Sequence, residues 1–147
     1  MFLYRAVDST GQTLDFLLNQ TRSTRAAKRF FRKVLGRPYL TAPRVINVDK
    51  NPTYIGAVRD LKKEKLFPEK CKRRPSQYMN NIIEQDHRFM ERKIKPGLGF
   101  FSYPTAWRTI RGYETMHMIR KGQIEGAEKG NIQAQNQFVA RLFGLAV

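Results

Sequence analysis

The segment Val45-Ile46-Asn47-Val48-Asp49 restricts the fold most, because a short β-branched run ends in a carboxylate and passes almost at once into a helix start. Asn51 is a good N-cap and Pro52 suits the first helical position, so the spacing predicts a helix whose inner face is Tyr54, Ile55, Val58 and Leu61. A buried strand running straight into a helix is the opening of a parallel-sheet unit, which belongs to an α/β chain. Further on, Asn80-Asn81-Ile82-Ile83-Glu84-Gln85-Asp86-His87-Arg88 predicts a second helix starting at Asn80 or Asn81. There Ile83, His87, Met90 and Ile94 share one face, and Glu84, Arg88, Glu91 and Lys95 share another. Asp49 at a strand exit and Glu84 one turn inside a helix suit a hard divalent cation, which prefers carboxylate oxygens, water and phosphate. Two such ions can clamp the attacking and leaving oxygens of a phosphodiester. The plain alternative makes Asp49 the start of a loop and Glu84 a first-turn residue favoured by the helix dipole and paired with Arg88.

Around these segments the chain alternates strands and helices. Phe2 to Val7 reads as a strand, Asp8-Ser9-Thr10-Gly11 as a turn and Leu14 to Leu18 as the returning strand of a hairpin. Ser23 or Thr24 caps a helix in which Ala27, Phe30, Phe31, Val34 and Leu35 form one apolar stripe, stopped by Gly36 and Pro38. Residues 62–72 read as a solvated loop, and 71–77 as a short strand that Pro75 confines to an edge or bulge. Pro96 to Gly99 breaks the chain before a helix over 105–121 with Trp107, Ile110, Tyr113, Met116 and Ile119 at helical spacing. Residues 1–121 thus read as a core, and 122–147 as a loose tail whose 138–143 segment docks as a short helix.

Charge narrows the partner. Lys and Arg total 28 against 12 Asp and Glu, a net charge of +16, and residues 1–74 hold 18 of the bases and only 6 of the acids. Such an imbalance is the electrostatic footprint of a nucleic-acid binder, shared by ribosomal and architectural proteins. Arg22, Arg25, Lys28, Arg29, Arg32, Lys33 and Arg37 follow one another with no acid between them, and read equally as a DNA-backbone surface or a solvated face. The single Cys71 excludes an internal disulfide and, with only His87 and His117, argues against zinc. No apolar run reaches the roughly 18 residues of a membrane span, and the N-terminus has no signal-peptide pattern, so a cytoplasmic location and no membrane partner are expected. His87 reads as a core or boundary histidine ahead of a proton shuttle, and the Trp107 stripe as core ahead of base stacking.

The order strand, strand, helix, strand-Asp49, helix, strand, helix-Glu84 resembles the ribonuclease H-like core of DDE transposases and retroviral-type integrases. The local wording is more specific. Tyr4-Arg5-Ala6-Val7-Asp8, Ala27 to Phe31, Val48-Asp49-Lys50-Asn51-Pro52, Asn80 to Phe89, Lys95 to Phe100, Arg111 to Met116 and Ile119 to Gln123 resemble the insertion-sequence-six family of bacterial transposases, over roughly residues 2–123. The resemblance implies an α/β fold with a mixed sheet flanked by helices, and DNA as substrate. It makes Asp49 and Glu84 the second and third catalytic and metal-binding carboxylates, served by Mg²⁺ or Mn²⁺, two ions in an intact protein. The DNA-contacting set is read as Arg25, Lys28, Arg29, Arg32, Lys33, Lys50, Arg88 and Arg92.

The departures from that pattern matter as much. The family carries its first Asp on a strand upstream of the one matching Phe2 to Val7, so the chain is expected to be an N-terminally truncated core that lacks its first strand and its helix-turn-helix. It is expected to bind metal weakly and to be inactive alone. Asp8 is read as a turn residue and Asp15 as a strand-face polar residue, neither replacing the lost ligand. Glu91 stands where the family usually has Lys or Arg, and Pro75 interrupts a strand. The competing function is a basic DNA-binding remnant, a homo-oligomer or a mixed oligomer that regulates full-length transposase; a ribosomal-type RNA binder is the third reading.

Overall fold

The computed structural model describes residues 1–48, 51–75, 81–95 and 100–145. These form a mixed α/β chain with five helices and two small sheets. Strands β1 (Phe2–Val7) and β2 (Thr13–Asn19) pair antiparallel, with a register irregularity between Ala6 and Val7. Asp8 makes the turn: its Oδ1 accepts from the Thr10 and Gln12 backbone N–H groups at 2.8 and 2.9 Å and from the Thr10 hydroxyl at 2.7 Å. That is the local bonding by which an Asp stabilises its own turn. Helix α1 (Thr24–Leu35) begins where Ser23 Oγ accepts from Ala26 N–H at 3.2 Å and ends where Gly36 N–H donates to the Arg32 carbonyl at 2.9 Å. Its stripe of Ala27, Phe30, Phe31 and Val34 is buried as the spacing predicts, against Tyr4 and Leu17 of the hairpin.

Strand β3 (Val45–Val48), helix α2 (Pro52–Lys63) and strand β4 (Lys72–Pro75) complete a parallel βαβ unit. Asn51 Oδ1 accepts from Thr53 N–H at 3.0 Å, the cap expected at that position. Gly56 brings α2 close to α1; a Cβ there would sit 3.2 Å from Thr24 Cγ2. Three expectations change. β3 is not buried: among the described residues it pairs along one edge, and Val45 remains 39% exposed. Ile55 points outward at 46% exposure, because the face that packs is Ala57, Val58 and Leu61 with Tyr54 half-buried, one position round the helix. The segment over 62–72 is partly core, since Phe67 and Cys71 are each 1% exposed. Lys65 takes a left-handed conformation, Leu66 N–H returns to the Leu61 carbonyl, and Lys62 Nζ donates to the carbonyls of Glu69 and Cys71. Those bonds satisfy the loop backbone while Phe67 packs edge-on against Phe31, ring centres 5.4 Å apart.

Among the described residues the four strands form two two-stranded sheets, β1-β2 and β3-β4, where the resemblance implies one mixed sheet. The chain divides into two compact units, Met1–His87 and Arg88–Val147. Helix α3 (Asn81–Ile94) starts in the first and ends in the second; Asn80, one of its two expected caps, lies outside the described residues. The second unit contains α4 (Tyr103–Arg120), capped by Ser102, and α5 (Ile132–Leu142), capped by Asn131. On α3 and α4, Phe89 and His117 stack with ring centres 3.9 Å apart. The buried positions of α4 are Ala106, Ile110, Glu114 and Ile119, whereas Met116 of the expected stripe is 40% exposed. α5 starts six residues before the expected 138–143 segment, its polar Gln133, Gln135 and Asn136 having masked the pattern. Gly122, at φ +72°, lies so close to Lys129 N that no Cβ fits.

Candidate catalytic and nucleic-acid site

Glu84 is exposed in the first turn of α3 and lines a cavity of about 1260 Å³ within the first unit. The same cavity is walled by β1, β3 and the apolar face of α1. Asp49 and Lys50 lie outside the described residues, immediately after the end of β3 in sequence. Glu84 offers the hard oxygen donors a divalent cation takes, yet no group of three or more His, Cys, Asp or Glu side chains converges among the described residues. Asp8 is engaged in its turn, and Asp15 in ion pairs with Lys33 and Arg37.

Two residues after Glu84, Asp86 turns inward and meets Arg5 of β1, Nη2 to Oδ2 2.7 Å, with side-chain exposures of 5% and 0%. Residue spacing marked neither as a partner of the other. The signal was Arg5 itself, a charge inside the strand run Phe2 to Val7, where alternation with Tyr4 aims it at the face of the hairpin opposite Tyr4.

The basic surface is less uniform than its sequence. Lys28 pairs with Glu64 at 2.9 Å and Asp60 at 3.4 Å, and Arg32 with Glu64 at 2.6 Å. Hydrogen bonding to Glu64 raises the Lys28 pKa, and bonds from Lys28 and Arg32 lower that of Glu64. Lys33 and Arg37 both reach Asp15 at 2.7 Å, and Lys33 Nζ also donates to the Phe16 carbonyl. Arg25 and Arg29 are exposed and make no ion pair with a described carboxylate. Arg88 and Arg92 are exposed on α3. Cys71 is enclosed, and burial raises its thiol pKa against the opposing charge of Lys62.

Asp15 yields a pH prediction. Burial pushes its carboxyl up, but bonds from Lys33, Arg37 and the Phe16 N–H outweigh that, and the net pKa is lowered. A carboxylate held below its unfolded value adds stability that is complete above that value, near 3.8, and vanishes as pH falls through the lower folded value. Melting temperature should therefore drop below about pH 4, and Asp15→Asn should flatten that part of the profile. An identical acid limb in both proteins would remove Asp15 from the acid response.

Residues 1–123 match the DDE domain family model of IS240-type transposases. The chain belongs to the insertion-sequence-six family of DDE transposases. Its curated relatives include the transposase for insertion sequence-like element IS431mec of Staphylococcus aureus, 33% identical over 123 residues. The transposase for insertion sequence element IS257 in transposon Tn4003, also from Staphylococcus aureus, is equally similar. Both alignments cover 82% of this chain and 51% of the relative, so the chain spans about half the length of these curated relatives. An uncharacterized protein of Yersinia pseudotuberculosis, pYV0051, is 36% identical over 78 residues, 52% of this chain and 72% of that protein. No solved structure matches. DDE transposase domains generally use divalent metals, and transposases bind DNA. No helix among the described residues is long and apolar enough to cross a membrane.

Proposed function

We propose that these residues form part of a ribonuclease H-like catalytic core that cuts and joins DNA in the cytoplasm, with Asp49 and Glu84 as two of its carboxylates. The observation that carries the reading is the family match over residues 1–123, together with Glu84 exposed at a cavity bordered by the strand that runs into Asp49. Asp49 and Glu84 would hold Mg²⁺ or Mn²⁺, which when bound activates a water or a DNA 3′-hydroxyl and steadies charge on the phosphodiester. The protein's own share is to position the two carboxylates and to receive the DNA backbone on its cations.

The 147-residue chain alone should bind Mg²⁺ weakly in calorimetry, with the residual heat lost in Asp49→Asn, and should give no strand-transfer product on donor DNA ends. Tight binding that survives Asp49→Asn, or robust strand transfer abolished by Glu84→Gln, would overturn the two-carboxylate reading.

DNA binding should be nonspecific and salt-sensitive, with a slope of about −0.9 in log affinity against log salt for each neutralised phosphate. Arg25 and Arg29 hold no internal ion pair with a described carboxylate, unlike Lys28, Arg32 and Lys33. Replacing both by Ala should lower the slope by about 2. Anisotropy titrations from low to moderate salt measure it, and an unchanged slope would move the DNA surface off α1.

A further inference from the structure

We propose that Arg5 and Asp86 are a positioning pair, which fixes the rotation of helix α3 and thereby aims Glu84 into the cavity. The inference deepens the reading of Glu84 as a metal-binding carboxylate and rests on it. Glu84 and Asp86 stand two residues apart on α3. At about 3.6 residues per turn their side chains leave the helix on nearly opposite sides, about 160° apart. Asp86 is turned into the protein against Arg5, Nη2 to Oδ2 2.7 Å, while Glu84 is exposed and lines the cavity with Ile83 and His87. Holding one side chain therefore sets the direction of the other. A slip of one residue is about 100° of rotation and would re-aim Glu84 by that angle.

Charge, more than apolar packing, holds this stretch. Among the described side chains of residues 83–87, Asp86 alone is buried, with Ile83 and His87 half-buried and Glu84 and Gln85 exposed. Apolar contact is non-directional and tolerates a rotated helix. A buried carboxylate tolerates it poorly, because a rotation that parts it from its cation leaves an uncompensated charge in a medium that solvates it badly. The cation is firmly mounted. Arg5 lies mid-strand opposite Phe16 in the β1-β2 ladder, and its neighbour Tyr4 is 3% exposed in the core. Arg5 also borders the cavity that Glu84 lines, so the support and the supported side chain meet the same space. An ion pair of little net stabilising value thus serves by what it specifies, the direction of a carboxylate.

The test compares the 147-residue chain with Arg5→Leu/Asp86→Leu, which removes both charges together. Val58→Ala, in the core and away from the cavity wall, controls for simple loss of stability. Mn²⁺ affinity is read from the electron paramagnetic resonance of the free ion, with Glu84→Gln identifying the share of binding that belongs to Glu84. In the double variant that share should weaken about tenfold, toward the Glu84→Gln level, and amides 85–87 should exchange about tenfold faster while those of α2 hold their rates. Val58→Ala should keep the parent's Mn²⁺ affinity. A Glu84-dependent affinity equal to the parent's in the double variant would overturn the proposal whatever the exchange rates, as would an equal loss in Val58→Ala. If the parent itself shows no Glu84-dependent Mn²⁺ binding, the metal reading of Glu84 fails separately, and exchange at 85–87 decides the positioning role: faster exchange sustains it and unchanged exchange overturns it. Should the double variant not fold, Arg5→Lys, which keeps the cation but shortens its reach, takes its place with the same outcomes deciding.

Discussion

Replacing Arg5 by Ala should lower the unfolding free energy by about 3–5 kcal/mol, among the largest effects available to a single substitution here. The size follows from burial. Arg5 and Asp86 are almost wholly enclosed and 2.7 Å apart, so removing the guanidinium leaves a carboxylate in a medium that solvates it poorly. The pair itself is not a strong net stabiliser, because both ions gave up water to form it. Arg5→Leu combined with Asp86→Leu should therefore lie within about 1–2 kcal/mol of the parent. Urea titrations of the three proteins decide the matter; a single-variant loss below about 1 kcal/mol would mean that the two charges are hydrated in solution.

Phe67→Ala should cost a similar 3–5 kcal/mol. Phe67 heads the fully buried side chains and stacks edge-on with Phe31, so truncation leaves a void between α1 and the loop after α2. Phe67→Leu keeps most of the volume and should cost about 1.5 kcal/mol or less. The neighbour Leu66 is 41% exposed, and Leu66→Ala should stay within about 0.5 kcal/mol. Thermal or urea melts that rank Leu66 beside Phe67 would show that the loop does not hold its place in the core.

What could be read from the sequence was local. The hairpin with its Asp8 turn, the Ser23 and Asn51 caps, the α1 stripe and β3 all rest on neighbours a few residues apart, where spacing and side-chain chemistry suffice. The ordered motif blocks carried the family. Long-range matters stayed hidden. The pairing of Lys28 and Arg32 with Glu64 joins α1 to the end of α2, and a run with no acid in it looks uncompensated until those helices are packed together. Asp86 was read as part of a motif rather than as the counter-ion of Arg5, because nothing local distinguishes an inward Asp from an outward one. Phe67 and Cys71 sit in a stretch rich in Lys and Glu, whose composition outweighed its few apolar residues. In the site, exposure of Glu84 followed from its helical face, while Asp49 lies outside the described residues.

The enclosure of Cys71 gives the protein its own gauge of breathing. It is the single cysteine, 1% exposed, with its thiol pKa raised by burial. Only thiolate reacts with a disulfide reagent, so modification must wait until the 64–71 loop lifts away from α1 and α2. The labelling rate then counts those openings directly, apart from global unfolding. It reports on the segment that leads into β4, and so on how steadily one wall of the Glu84 cavity is held.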